Sequence, residues 1–166
     1  MGKTTDLRRE LKKRFYPFVA AYGFQIDMMH SPFSIEFRRM TAERIDVFDI
    51  QWEKHGRPRF VVNFGHCSTS GAVHFGEQVA PDRVLSYMGS SSGRLQPRKG
   101  SGTCAWFRQD RSFFRRVVLR HQPRTAAHVV DELLCLFPEL EAWFRQQHLG
   151  PHMMILRYPW QKQSEA

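Results

Sequence analysis

Cysteine is scarce in this chain: Cys67, Cys104 and Cys135 are the three thiols of 166 residues, far apart and without a CxxC pair. An odd, scattered set excludes a disulfide framework, and structural zinc sites draw their ligands in closely spaced pairs. Reduced thiols are therefore expected, and neither metal nor cofactor is. Long hydrophobic runs are missing as well. None approaches the roughly 20 apolar residues that span a bilayer, and Met1-Gly2-Lys3-Thr4-Thr5-Asp6 leads into a charged segment rather than an apolar leader. Asp6 stands where a myristoylation signal carries Ser or Thr, which argues against a lipid anchor. Together these absences predict a cytoplasmic protein with no membrane association. HExxH is absent, and so is the Gly-Lys-Ser/Thr ending of a P-loop. Ser90-Ser91-Ser92-Gly93-Arg94 thus resembles a phosphate cradle only superficially.

Negative charge is also in short supply. Asp and Glu number 16 against 25 Lys and Arg, for a formal net charge of +9, which makes an acidic or polyanionic partner a natural expectation. Most of the excess is local. Residues 94–124 carry Arg94, Arg98, Lys99, Arg108, Arg111, Arg115, Arg116, Arg120 and Arg124 against Asp110 alone.

What is present is a chain able to fold. It is 42% hydrophobic with 14 Phe and 4 Trp, enough apolar surface to offset the entropy of ordering, and its length suits a single domain over 1–166. Leu7, Leu11, Phe15, Phe18 and Tyr22 recur at helical steps, predicting a helix over 4–22 that starts on Thr4 or Thr5 and ends at Gly23. Pro17 is expected to kink or break its last turn. From Phe24 the period becomes 2. Phe24, Ile26 and Met28, then Phe33, Ile35 and Phe37, form a predicted hairpin about Ser31-Pro32. Ile45 to Trp52 changes parity midway, which predicts a bulge. After the turn His55-Gly56-Arg57-Pro58, a fourth strand carries Phe60, Val62 and Phe64, completing an antiparallel meander packed on the first helix.

The small, turn-forming residues between Gly65 and Gly102 read as a mobile surface loop. Thr103–Phe107 is a candidate fifth strand, and Phe113, Phe114, Val117 and Val118 suggest a short helix ended by Gln122-Pro123. From Thr125, a candidate N-cap, an apolar stripe of Val129, Val130, Leu133, Leu134, Phe137, Leu140 and Phe144 predicts helix that Pro138 divides or kinks. Gly150-Pro151 ends it, and a frayed tail follows from about 161. The class is α+β: an N-terminal helix, an antiparallel sheet of about five strands and C-terminal helices packed on one face.

The run Phe15-Tyr16-Pro17-Phe18 through Gly23-Phe24, the strand from Phe33 to Arg39, and Phe60-Val61-Val62-Asn63-Phe64-Gly65 resemble a bacterial domain-of-unknown-function family, number 4304. In that family a leading helix ends in Gly-Phe and one strand closes on an Asn-aliphatic-Gly pattern, with Phe64 here in the aliphatic place. The resemblance covers roughly 5–145. It implies an α+β domain with no agreed activity and no catalytic residues to carry over.

Several constellations invite a chemical reading. An imidazole beside a thiol favours the thiolate, but His66 and Cys67 are neighbours on a strand and point to opposite faces. His66 and His74 are a plausible metal-binding pair, but without HExxH or a comparable spacing ordinary surface histidines are the simpler reading. Glu36, Asp46, Asp49 and Glu53 could gather carboxylates for acid/base or metal work, although pairing with Arg38, Arg39 and Arg44 on the solvent face of the sheet is the simpler role. Trp106-Phe107 beside Arg108 could stack bases, or belong to core and edge. The expected function is a non-catalytic binding protein, immunity- or adaptor-like, presenting the basic segment to an acidic protein partner. The alternatives are a nucleic-acid binder using the same arginines on phosphates, and an unrecognised enzyme.

Overall fold

The computed structural model describes residues 2–27, 31–100, 104–110 and 124–156. The chain opens on α1 (Lys3–Glu10), a π-helical turn (Leu11–Phe15) and α2 (Tyr16–Ala20). Leu7, Leu11, Phe15 and Val19, spaced by four, are all fully buried. In an α-helix of 3.6 residues per turn, four residues overshoot by about 40°, so three such steps would carry Val19 about 120° off the face of Leu7. The wider π-turn takes up part of that drift. Pro17 neither breaks nor ends the helix. It falls just after the π-turn, within a helical backbone that runs on from Phe15 through Ala20. Phe18 and Tyr22, expected in the stripe, are half-buried at its edge. Gly23, at φ 86°, turns the chain into Phe24.

β1 (Gln25–Ile26), β2 (Ser34–Met40), β3 (Arg44–Trp52) and β4 (Arg59–Ser68) form the expected antiparallel meander. The bulge expected in β3 is absent. Its register with β2 is unbroken from Met40↔Ile45 to Ser34↔Gln51, and with β4 from Ile45↔Cys67 to Trp52↔Phe60. The parity change has another cause, which is that β3 is buried on both faces. Phe48, Ile50 and Trp52 face the helices, whereas Ile45 and Val47 join Cys67 and Val84 in a second, smaller cluster.

That second layer comes from the stretch read as a mobile loop, which is the largest correction. It contains the hairpin of β5 (Ala72–His74) and β6 (Glu77–Val79), a 3-10 turn at Pro81–Arg83, and β7 (Ser91–Leu95). β7 lies inside the sheet between β4 and β9 (Met153–Leu156). Its small residues reflect crowding rather than mobility. A Cβ on Gly93 would lie 2.5 Å from Phe64 Cζ and 2.7 Å from the Met154 carbonyl oxygen. β8 (Phe107–Arg108) pairs with β4, making seven strands in the main sheet among the described residues where about five were expected.

α3 (Ala126–Gln146) starts on Thr125, whose Oγ1 accepts from the His128 N–H at 3.1 Å. Pro138 does not divide it. The proline is exposed, and burial of Leu133, Phe137, Leu140 and Phe144 on either side in one core outweighs a single lost bond. Gln147, in the left-handed region at φ 55°, ends the helix ahead of Gly150-Pro151. The two helical segments meet over one sheet face: the Phe15 ring lies 6.2 Å from Phe37, 6.1 Å from Phe48 and 5.7 Å from Phe137. The class is thus α+β with an antiparallel sheet, and no described helix is long and apolar enough to cross a membrane. The short helix expected after Asp110 and the tail from 161 lie outside the described residues.

Candidate functional site

The sheet face turned away from the helices carries a polar row. Register sets Glu36 of β2 opposite Asp49 of β3, Asp49 opposite Asn63 of β4, and Asn63 opposite Arg94 of β7. Directly opposed side chains on antiparallel neighbours have Cβ atoms about 4.5–5.5 Å apart on one face, so the row is contiguous. Arg94 Nε donates to Asn63 Oδ1 at 2.8 Å. Asn63 Nδ2 in turn donates to Asp49 Oδ2 at 2.9 Å and to Gln51 Oε1 at 3.0 Å.

Residues 84–88 wall one side of this row. They approach closely because β4 carries Gly65 there: a Cβ at that position would lie 2.0 Å from the Ser86 carbonyl oxygen. Ser86 Oγ donates to Asp49 Oδ1. Arg38 fastens the wall to β2, donating from Nη1 to the Pro81 carbonyl at 2.7 Å and from Nη2 to the Val84 carbonyl at 2.9 Å, while its Nε donates to Asp27 at 2.7 Å. Between wall and strands lies an open cleft of about 490 Å³, lined among others by Phe33, Glu36, Asp49, Gln51, Lys54 and Tyr87. The volume falls in the range of about 300–1,000 Å³ typical of small-ligand sites.

Glu36 and Asp49 are only 4% and 7% exposed. Burial pushes the Glu36 carboxyl up to about 7, with Asp49 and Asp27 adding to the rise and Arg38 opposing it. Burial pushes Asp49 up to about 6, against the stabilising hydrogen bonds from Ser86 and Asn63 and the charge of Arg94. Tyr87 is raised too, by burial and by both carboxylates. Burial thus favours the protonated form of both carboxyls. The pair can hold a proton, accept hydrogen bonds from a donor-rich group, or serve as acid and base.

The other carboxylates of the expected quartet lie elsewhere. Asp46 does pair with Arg39 at 2.7 Å and Arg44 at 2.8 Å, but it does so fully buried on the face turned to the helices rather than on the expected solvent face. Glu53 lies 3.6 Å from Arg59.

Of the expected basic site, five residues are described. Arg94 belongs to the polar row, and Arg124 pairs with Glu132 at 2.9 Å. Arg108 is 4.0 Å from Asp110, and Arg98 and Lys99 are exposed just past β7. Arg111, Arg115, Arg116 and Arg120 lie outside the described residues. Exposed positive charge also gathers on the first helical segment, at Lys3, Arg8, Arg9, Lys12 and Lys13.

His66 and Cys67 do point to opposite faces. The imidazole lies 5.2 Å from the Trp143 ring, and the thiol is buried in the smaller cluster, where burial raises its pKa. His74 packs on Phe75 and Tyr87. No group of three or more His, Cys, Asp or Glu is placed to hold a metal among the described residues. Phe107 stacks on Phe60 at 5.2 Å, and the Arg59 guanidinium covers Trp106 at 4.9 Å.

Fold and cleft together define a class: an α+β protein whose main sheet, on the face turned away from the described α-helices, carries a buried polar row and a walled cleft. No family model, curated protein or solved structure matches the chain.

Proposed function

We propose that the protein is a binding protein that takes a small polar ligand into the cleft. One observation carries this reading: two buried carboxyls, directly opposed on adjacent strands, line an open cavity of about 490 Å³. A buried carboxylate opposes folding unless it is paired or hydrogen-bonded, and perturbed carboxyls concentrated in a cleft are a mark of functional sites. A screen of small polar compounds by thermal shift and NMR tests it. Hits should perturb Ser34, Gln51 and Tyr87 and lose affinity in Asp49→Asn. A screen in which no compound perturbs the cleft refutes the reading, while turnover of a hit assigns catalysis to the carboxyl pair instead.

The surface charge supports a second reading, in which an immunity- or adaptor-like protein meets an acidic protein partner. Exposed Arg98 and Lys99, together with the basic residues of the first helical segment, would make that contact. Nucleic acid is the alternative partner. Affinity purification from the native host with and without nuclease separates them, since a partner lost only with nuclease is nucleic acid. Replacing Arg115 and Arg116 with Glu tests whether the 94–124 segment takes part, and unchanged partners at unchanged salt sensitivity exclude it. Membership of family 4304 is a proposal of the same kind, supported by the Gly23-Phe24 turn and by β4 running through Asn63-Phe64-Gly65.

A further inference from the structure

We infer that the ligand of the cleft is an organic monocation, an ammonium or guanidinium on an apolar stem, with its charge at Glu36 and Asp49 and its stem against Phe33 and Tyr87. This deepens the reading of the cleft as a ligand site and rests on it.

The walls select the charge. Two carboxyls on one floor repel an anion, and the nearby arginines are already committed: Arg38 to Asp27 and the Pro81 and Val84 carbonyls, Arg94 to Asn63. Asp49 accepts one hydrogen bond on each oxygen, from Ser86 and from Asn63. Each carboxylate oxygen has two lone pairs, so each can accept a further donor.

The rim selects the rest of the molecule. Phe33 and Tyr87 line the cleft yet remain 40% and 36% exposed, and Leu85 lines it beside them. Aromatic faces attract cations and cover apolar stems, so aromatic side chains lining the same cleft as two carboxyls suit an alkyl- or arylammonium. A bare divalent ion fits less well. Hard cations want six or more oxygen ligands, and among the described residues no third carboxylate, His or Cys joins the pair. Lys54 stands exposed on the same lining and would repel a second positive charge, so a monocation is favoured over a diamine.

Binding should be linked to protons. A cation entering beside carboxyls that burial keeps partly protonated displaces a proton, so affinity rises with pH while they are protonated in the free protein. The charges facing the pair are Asp27, Arg38 and Arg94, with Tyr87 and Lys54 at the rim.

Calorimetric titration and NMR with benzylammonium and propylguanidinium test the inference, with benzyl alcohol, benzoate and butane-1,4-diammonium as controls. The two monocations should perturb cleft resonances and bind about tenfold more tightly at pH 7.5 than at pH 5.5. The neutral and anionic controls should not bind, and the diammonium should bind more weakly. Asp49→Asn and Glu36→Gln should each weaken benzylammonium by about tenfold or more. Should either variant unfold, Tyr87→Ala at the rim supplies the same comparison. Benzyl alcohol or benzoate seated in the cleft as tightly as benzylammonium overturns the cationic ligand but leaves the cleft a ligand site. Silence from both monocations overturns the inference alone, and the cleft reading falls only if the wider screen is silent too.

Discussion

Arg39 of β2 holds Glu141 of α3 through a single nitrogen, its Nη1 lying 3.0 and 2.9 Å from the two carboxylate oxygens. The same guanidinium donates to Asp46 Oδ2 at 3.0 and 2.7 Å and covers the Phe24 ring at 4.4 Å. Sheet, helix and the turn after α2 are thereby joined at one buried charge. Removing one partner leaves the others uncompensated, so Glu141→Gln or Arg39→Met should lower stability by about 3–5 kcal/mol. Urea unfolding checks this. A loss below about 1 kcal/mol would mean that the ion pairs contribute little to holding α3 on the sheet.

The carboxyl pair should write itself into the pH dependence of stability. Both folded pKa values, about 7 for Glu36 and about 6 for Asp49, are raised above the ordinary carboxyl range near 4. The folded state therefore binds more protons between about pH 4 and 7, and the pair's contribution is lost as pH rises through that window. His66, lowered chiefly by burial, acts in the opposite sense as pH falls. The difference between parent and Asp49→Asn isolates the effect, so the variant should lose less stability from pH 5 to 7. Parallel curves would show that Asp49 ionises in the native protein as it does in the unfolded chain.

Two glycines should separate the core from the cleft. Gly93→Ala drives a methyl into Phe64 and the Met154 carbonyl, overpacking worth about 1–3 kcal/mol. Gly65→Ala meets the Ser86 carbonyl oxygen instead, which should displace the 84–88 wall and abolish ligand-induced shifts at Tyr87. Phe37→Ala, Phe64→Ala and Leu133→Ala, at fully buried positions, should cost about 2–5 kcal/mol each. Differential scanning calorimetry alongside NMR reads both effects. An intact cleft in Gly65→Ala would contradict the account of the wall.

Thiol reactivity follows burial. Cys135 is exposed, Cys104 half-buried, and Cys67 buried with its pKa raised by desolvation, so alkylation should modify Cys135 first and Cys67 last. Mass spectrometry over a time course gives the order. Early labelling of Cys67 in the native state would mean that the smaller cluster opens readily.

Much of the fold was legible locally. The stripe of Leu7, Leu11 and Phe15, the alternation in β2 and β4, and the Thr125 cap are each encoded within a few residues of chain. Parity failed at β3 because it reports how many faces are buried as readily as it reports a bulge. The tertiary structure places Val84 and Ser86 over the far face, turning an apparent defect into a strand covered on both sides.

The candidate site was legible only as a list of residue types. Glu36 and Asp49 stood in the sequence beside Asp46 as one carboxylate group, and nothing local separates them. Pairing register and the arrival of the 84–88 wall put Asp46 against Arg39 and the other two in a cleft. The density of arginine over 94–124, the strongest sequence signal, names no positions in space: of its described members Arg94 stands in the polar row and Arg124 on Glu132.

By itself the sequence determined the α+β class, the meander and the apolar faces that must be buried, because periodicity and spacing act over one or two turns of chain. Only the tertiary structure decided that β7 and β9 complete the sheet and that two carboxyls share one cleft. Those outcomes depend on contacts between segments dozens of residues apart, whose pairing is governed by close approach at Gly65 and Gly93 rather than by any local preference.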